Sequence, residues 1–111
     1  MVEGICRVSV ARDFSVTPGP RYIKQGPHSG EKFRNSILLK SLKECTRLEV
    51  DLDGTAGYGS SFIDEAFGGL VRENGFNATD LKRRLTIVSK EDPSLIHDVF
   101  AAINEALPKA G

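Results

Sequence analysis

Apolar and polar positions alternate near the start of the chain. Cys6, Val8 and Val10 interleave with Arg7 and Ser9, the two-residue period of a half-buried strand, which Ala11 to Asp13 closes. From Asp13 to Gly30 the chain carries Pro18, Gly19, Pro20, Gly26, Pro27 and Gly30, a density that excludes a long regular element. Only Arg21 to Lys24 can pair there, at a sheet edge. The period then lengthens: Phe33, Ile37, Leu38 and Leu42 recur at helical spacing while Lys32, Arg34, Asn35 and Lys40 point elsewhere, with Ser29 as cap and an end near Glu44. Leu48, Val50 and Leu52 alternate with Glu49, Asp51 and Asp53, which predicts a second strand with one apolar and one acidic face. Ser60 or Ser61 is placed to cap a second helix, whose Ile63, Ala66, Phe67, Leu70 and Val71 form an apolar stripe and which Gly75 stops. Asn77 to Arg83 adds a turn of helix, and Leu85 and Ile87 mark a third strand. Asp92-Pro93 opens a last helix lined by Ile96, Val99, Phe100, Ile103 and Leu107.

The order β, loop, α, β, α, β, α implies right-handed crossovers and largely parallel pairing. The acidic face of the second strand requires one side of the sheet to stay open. The expected fold is therefore a small α/β domain of two layers, a mixed, mostly parallel sheet with helices mainly on one face. If the first two strands are parallel, the loops 13–30 and 53–61 leave the same carboxyl edge, where such sheets commonly meet ligands and partners. Both loops end at helix N-termini, which favour an anion or an acidic group. Arg21, Lys24, His28, Ser29, Ser60 and Ser61 are the residues that could converge there, although a serine at such a place most often only caps its helix.

Composition narrows the function. With 111 residues, 40% of them hydrophobic, the chain fits one domain over 1–111 that needs neither metal nor disulfide. Fifteen basic residues cancel fifteen acidic ones, so no general field draws the protein to nucleic acid or anionic lipid. No apolar run is long enough for a signal or a membrane span, and a cytoplasmic protein is expected. Cys6 and Cys45, far apart in apolar-patterned segments, read as buried free thiols in a reducing compartment. His28 and His97 stand in no metal or triad spacing, and no cofactor is expected.

Leu48 to Thr55 ends in Asp-x-Asp-Gly-Thr and resembles the first motif of haloacid-dehalogenase-type phosphatases. That resemblance would make Asp51 a nucleophile and Asp53 an acid/base, with magnesium screening the phosphate. Against it, the family needs a later lysine and an acidic pair on further strands, and only one strand follows. The plain alternative puts Asp51 on the solvated face and begins a turn at Asp53-Gly54. Asp51, Asp53 and Thr55 fail as a calcium loop at the later positions, and Gly57-Tyr58-Gly59 lacks the rest of a dinucleotide or phosphate loop. A nucleotide or anion sensor built on the two loops is a further alternative.

The broader resemblance covers most of the chain. The strand Leu48 to Asp53, then Gly59-Ser60-Ser61-Phe62-Ile63-Asp64 and Gly68-Gly69-Leu70-Val71, resembles the central signature of STAS domains, the anti-sigma-factor-antagonist and sulfate-transporter module. It is closer still to the STAS-like family of unknown function, with Asp13-Phe14-Ser15, Pro18-Gly19-Pro20-Arg21 and Gly26-x-x-Ser29-Gly30-Glu31. The resemblance implies a non-catalytic protein-binding and regulatory module, with an ATPase-kinase-like or other signalling protein as partner. In anti-sigma antagonists a kinase phosphorylates a serine in Asp-Ser-Ser-Gly at the start of this helix. Asp64, Glu65, Ala66 and Phe67 stand there here, so no hydroxyl remains. Glu65 could supply a fixed negative charge, or Ser60 and Ser61 one turn earlier could accept phosphate. Gly68 and Gly69 cost on the order of 1 kcal/mol each inside a helix, which points to a close approach, either by a docking partner or by tight packing of this helix on its own sheet. The expected docking surface joins Gly57, Gly59, Ser60, Ser61, Asp64, Glu65, Gly68 and Gly69 to Arg21, His28 and Ser29.

Overall fold

The computed structural model describes residues 2–108. Met1 and residues 109–111 of the expected 1–111 domain lie outside the described residues. The elements run β1 (Val2–Ser9), α1 (Val10–Asp13), a 3-10 turn at Ile23–Gln25, α2 (residues 30–44), β2 (Cys45–Asp51), α3 (residues 60–72), α4 (Ala78–Arg84), β3 (Leu85–Val88) and α5 (Ser94–Glu105). Helices α2 and α3 each widen in the middle into a π-helix, at Arg34–Leu38 and Asp64–Gly68.

The sheet has the order β1-β2-β3 and is parallel throughout its described strands. Val8, Val50 and Ile87 lie in one cross-strand row, buried beneath the helices; Arg7, Glu49 and Thr86 form a row on the opposite, open face. Arg7 and Glu49 pair there at 3.6 Å. Two successive crossovers of one hand, stepping in one direction across the sheet, place their helices on the same side. That is why a three-strand sheet keeps the acidic face that its sequence advertises.

The core sits between this sheet and the helices. Leu48, Val50, Phe33, Phe62, Phe67, Leu38 and Leu70 are at most 1% exposed, each such side chain contributing about 1.5–3 kcal/mol by its burial. Phe33 and Phe62 have centroids 5.9 Å apart, and Phe14, from the segment before α2, packs 5.2 Å from Phe33.

Several boundaries differ from expectation. Arg21 to Lys24 forms no edge strand. The Pro20 and Arg21 carbonyls accept from Gly30 N and Glu31 N at the start of α2, and Ile23 N donates to Glu31 Oε1, so this backbone caps a helix instead. Val10 opens α1 rather than ending β1, because Ser9 Oγ accepts from Arg12 N. Strand β2 begins at Cys45, earlier than Leu48. Leu107 lies past α5 and is 79% exposed, outside the stripe assigned to it. Cys6 and Cys45 are not separate thiols: the parallel crossover brings their Cα atoms to 5.9 Å and a disulfide joins β1 to β2. The inference of a reducing compartment loses that support. Among the described residues no helix is long and apolar enough to cross a membrane.

Candidate functional site

The carboxyl edge of the sheet is built from loops that brace one another. After β2, Asp51 Oδ1 accepts from Asp53 N, which turns the chain. The two carboxylate oxygens of Asp53 then accept from Lys90 N and Glu91 N, each at 3.0 Å, while Glu91 Oε1 accepts from Gly54 N at 2.8 Å. This reciprocal clamp fixes the loop after β2 to the loop after β3. Both carboxylates of the phosphatase-like motif are thus engaged by backbone amides. Among the described residues no three acidic, histidine or cysteine side chains are grouped to hold a metal.

Tyr58 closes the same loop from inside. Its hydroxyl donates to Leu52 O at 2.8 Å. Burial first, and then the nearby carboxylates of Asp51, Asp53 and Glu91, push its phenol pKa up to about 12, although Thr55 acts in the opposite direction. The 13–30 segment meets this loop where Ala56 N donates to Val16 O at 2.8 Å.

The two segments converge again on α3, through charge. Arg21 donates to Asp64 Oδ2 at 2.5 Å and reaches Glu65 Oε1 at 3.4 Å. Arg72 reaches the same Glu65 oxygen at 3.2 Å and Asp64 at 3.5 Å. Arg34 Nη1 donates to Glu65 Oε2 and to the Glu65 carbonyl, both at 2.6 Å. The side chains of Arg34 and Glu65 are only 5% and 4% exposed, and each lies in the π-turn of its helix. Arg34 Nε is buried with no hydrogen-bond partner among the described residues. Arg34 and Arg72 were not among the expected site residues, and Arg34, expected to point away from the apolar face of α2, is buried instead. A signal was present for Arg34: Gly30, Arg34 and Leu38 are spaced by four, which puts a charge on the apolar face of α2.

The structure does not bring all the expected residues together. Arg21, Asp64 and Glu65 belong to the ion cluster, and Glu65 is buried rather than presented outward. Gly68 and Gly69 are buried too and take the intramolecular alternative: a Cβ on Gly69 would overlap Arg34 Nη1, and one on Gly68 would stand 3.1 Å from Ala102 O in α5. Neither offers a docking face, and both pack on neighbouring helices rather than on the sheet. Ser29 is spent as the cap of α2, accepting from Lys32 N at 3.0 Å, so that helix has no free N-terminal amides for an anion. His28 is exposed, its ring edge-on to Phe14 at 5.9 Å, and Lys24 lies over Tyr22 at 5.8 Å, apart from the cluster.

The remaining four are exposed. Gly57, Gly59, Ser60 and Ser61 all face outward, with Gly57 at φ 126°. Gly59 takes the N-cap position of α3, so neither Ser60 nor Ser61 caps the helix with its side chain. Both residues are exposed.

A family model described as a STAS-like domain of unknown function matches residues 29–95, more than half of the chain. The match spans α2 through β3 and leaves outside it β1, Asp13-Phe14-Ser15 and Pro18 to Arg21. No curated protein and no solved structure matches the chain.

Proposed function

The chain belongs to the STAS-like domain family of unknown function, and on that premise we propose that it is a non-catalytic binding and regulatory module. It docks a protein partner through the loops at the carboxyl edge and the start of α3, in the manner of the anti-sigma-factor antagonists that it resembles. One observation carries this reading. Gly59, Ser60 and Ser61 begin α3 exposed and without a side-chain cap, on a surface that the Asp53 clamp, the Ala56–Val16 bond and the Arg21–Asp64 pair brace. A preformed surface loses less entropy on binding than a mobile one. The partner is an ATPase-kinase-like or other signalling protein, and Ser60 or Ser61, in the first turn of α3, is the phosphoacceptor. We place the protein in the cytoplasm, where the Cys6–Cys45 pair is expected to be reduced.

The non-catalytic part of the proposal rests on Asp51 and Asp53, whose oxygens serve the loop backbone. With magnesium and a generic phosphate ester, no release above the uncatalysed rate is expected. Turnover that Asp51→Asn abolishes would reverse the assignment.

The docking surface is tested by placing a photo-crosslinking amino acid at Ser61 or, as comparison, at Thr86 on the open sheet face, in cells that make the protein. A defined protein adduct at position 61 and none at 86, reproduced with the purified partner, is the expected result. Adducts at 86 and none at 61 would overturn it.

A further inference from the structure

Between the start of α3 and the length of α5 lies a groove of about 450 Å3. Its floor is apolar, made by Tyr58, Ile63, Leu95 and Ala102. The α3 side carries Asp64, and the α5 side carries Asp98 and Glu105. Among the described residues no lysine or arginine lines it, in a chain whose charges cancel overall. The charge of Asp64 is already shared with Arg21 and Arg72, but Asp98 and Glu105 are exposed and have no ion-pair partner among the described residues.

We infer that this groove receives a basic amphipathic helix of the partner protein. The inference rests on the docking reading above and specifies the chemistry of its partner. Three features argue for that occupant. An apolar floor between polar rims is the form in which a groove takes the apolar face of a helix. The unpaired carboxylates supply a field of one sign, complementary to lysine or arginine. Asp98 and Glu105 stand seven residues apart in sequence, two turns of α5, or about 10 Å along its axis. Cations two turns apart on a helix laid beside α5 meet both carboxylates, while large apolar side chains between them fill the space over Leu95 and Ala102. A nucleic acid would be repelled by the same rim.

The probe is a synthetic helical peptide with leucines on one face and arginines two turns apart beside them. Its controls are the same composition in scrambled order and the chain bearing Asp98→Lys with Glu105→Lys. Both positions are exposed, and an unchanged melting temperature verifies the fold of the double variant. Calorimetric titration is expected to show saturable binding, with amide shifts at Ile63, Asp98 and Ala102. The double reversal and the scrambled order are each expected to weaken binding by about tenfold or more, and added salt to weaken it further. Absence of binding, equal binding of the scrambled peptide, or indifference to the double reversal would overturn the inference. So would concentration-dependent self-association that the reversal abolishes, since the occupant would then be a second copy of this chain. If the Ser61 adduct survives in the double variant, the groove assignment fails while the docking surface stands. If position 61 gives no adduct in the unsubstituted chain, the docking reading itself fails.

Discussion

Glu65 sits at the meeting point of three arginines, and its nearest partner, Arg34, is as deeply buried as it is. A buried ion pair adds little over apolar packing, but removing one member strands the other, at a cost of about 3–5 kcal/mol. Urea unfolding of Glu65→Ala is expected to show a loss of that size. Asp64→Ala, at a side chain 40% exposed, is expected to lose about 1 kcal/mol or less. Equal losses would show that the cluster is held by its exposed half. Tyr58 gives a pH signature at the same scale. Its phenol is raised from 10.0 to about 12. A raised group contributes fully below its unfolded pKa and loses that contribution as pH climbs through the folded value. Stability should therefore fall between about pH 10 and 12 more steeply in the wild type than in Tyr58→Phe, as equilibrium unfolding across that range would show.

At the scale of elements, helices α2 and α3 cross so closely that a Cβ on Gly30 would stand 2.5 Å from Phe62 O. Glycine to alanine inside a helix ordinarily stabilises by up to about 1 kcal/mol. Here the sign reverses: Gly69→Ala drives a methyl group onto Arg34, and a loss of about 1–3 kcal/mol in a denaturant titration is expected. A gain would mean that Arg34 swings away freely. The sequence made these helices legible through their apolar period, and it located the crossing through its glycines, yet it could not say which surface approached them. Only tertiary packing decides between a partner and the α2 and α5 helices. Ser29 was legible as a cap because the residues after it are periodic. The caps at Ser60 and Ser61 were misread because Gly59, with no side chain, competes for the same place. The 21–24 segment failed for a similar reason: its carbonyls had a nearer use, at the first amides of α2, than in a sheet.

Across the whole molecule, β1 is an edge strand tied to the central β2 by the ladder and by the Cys6–Cys45 disulfide. The bond spans a sequence separation of 39, and cross-links of this kind contribute about 2–4 kcal/mol by restricting the unfolded chain. Reduction with dithiothreitol is expected to lower unfolding stability by that amount, and Cys6→Ser should show no further response to reductant. Unchanged stability on reduction would mean that the ladder alone holds β1. The pairing could not be foreseen from the sequence, since parallel strands bring together residues whose separation is set by an entire crossover helix.

The same topology leaves two candidate surfaces for a partner, the braced carboxyl edge with the start of α3 and the open polar face of the sheet. Amide hydrogen exchange of the chain, alone and bound to its crosslinked partner, separates them in one experiment. Slowed exchange across residues 57–64, with Arg7, Glu49 and Thr86 unchanged, is the predicted result; protection of the Arg7, Glu49 and Thr86 row with residues 57–64 unaffected would contradict the account.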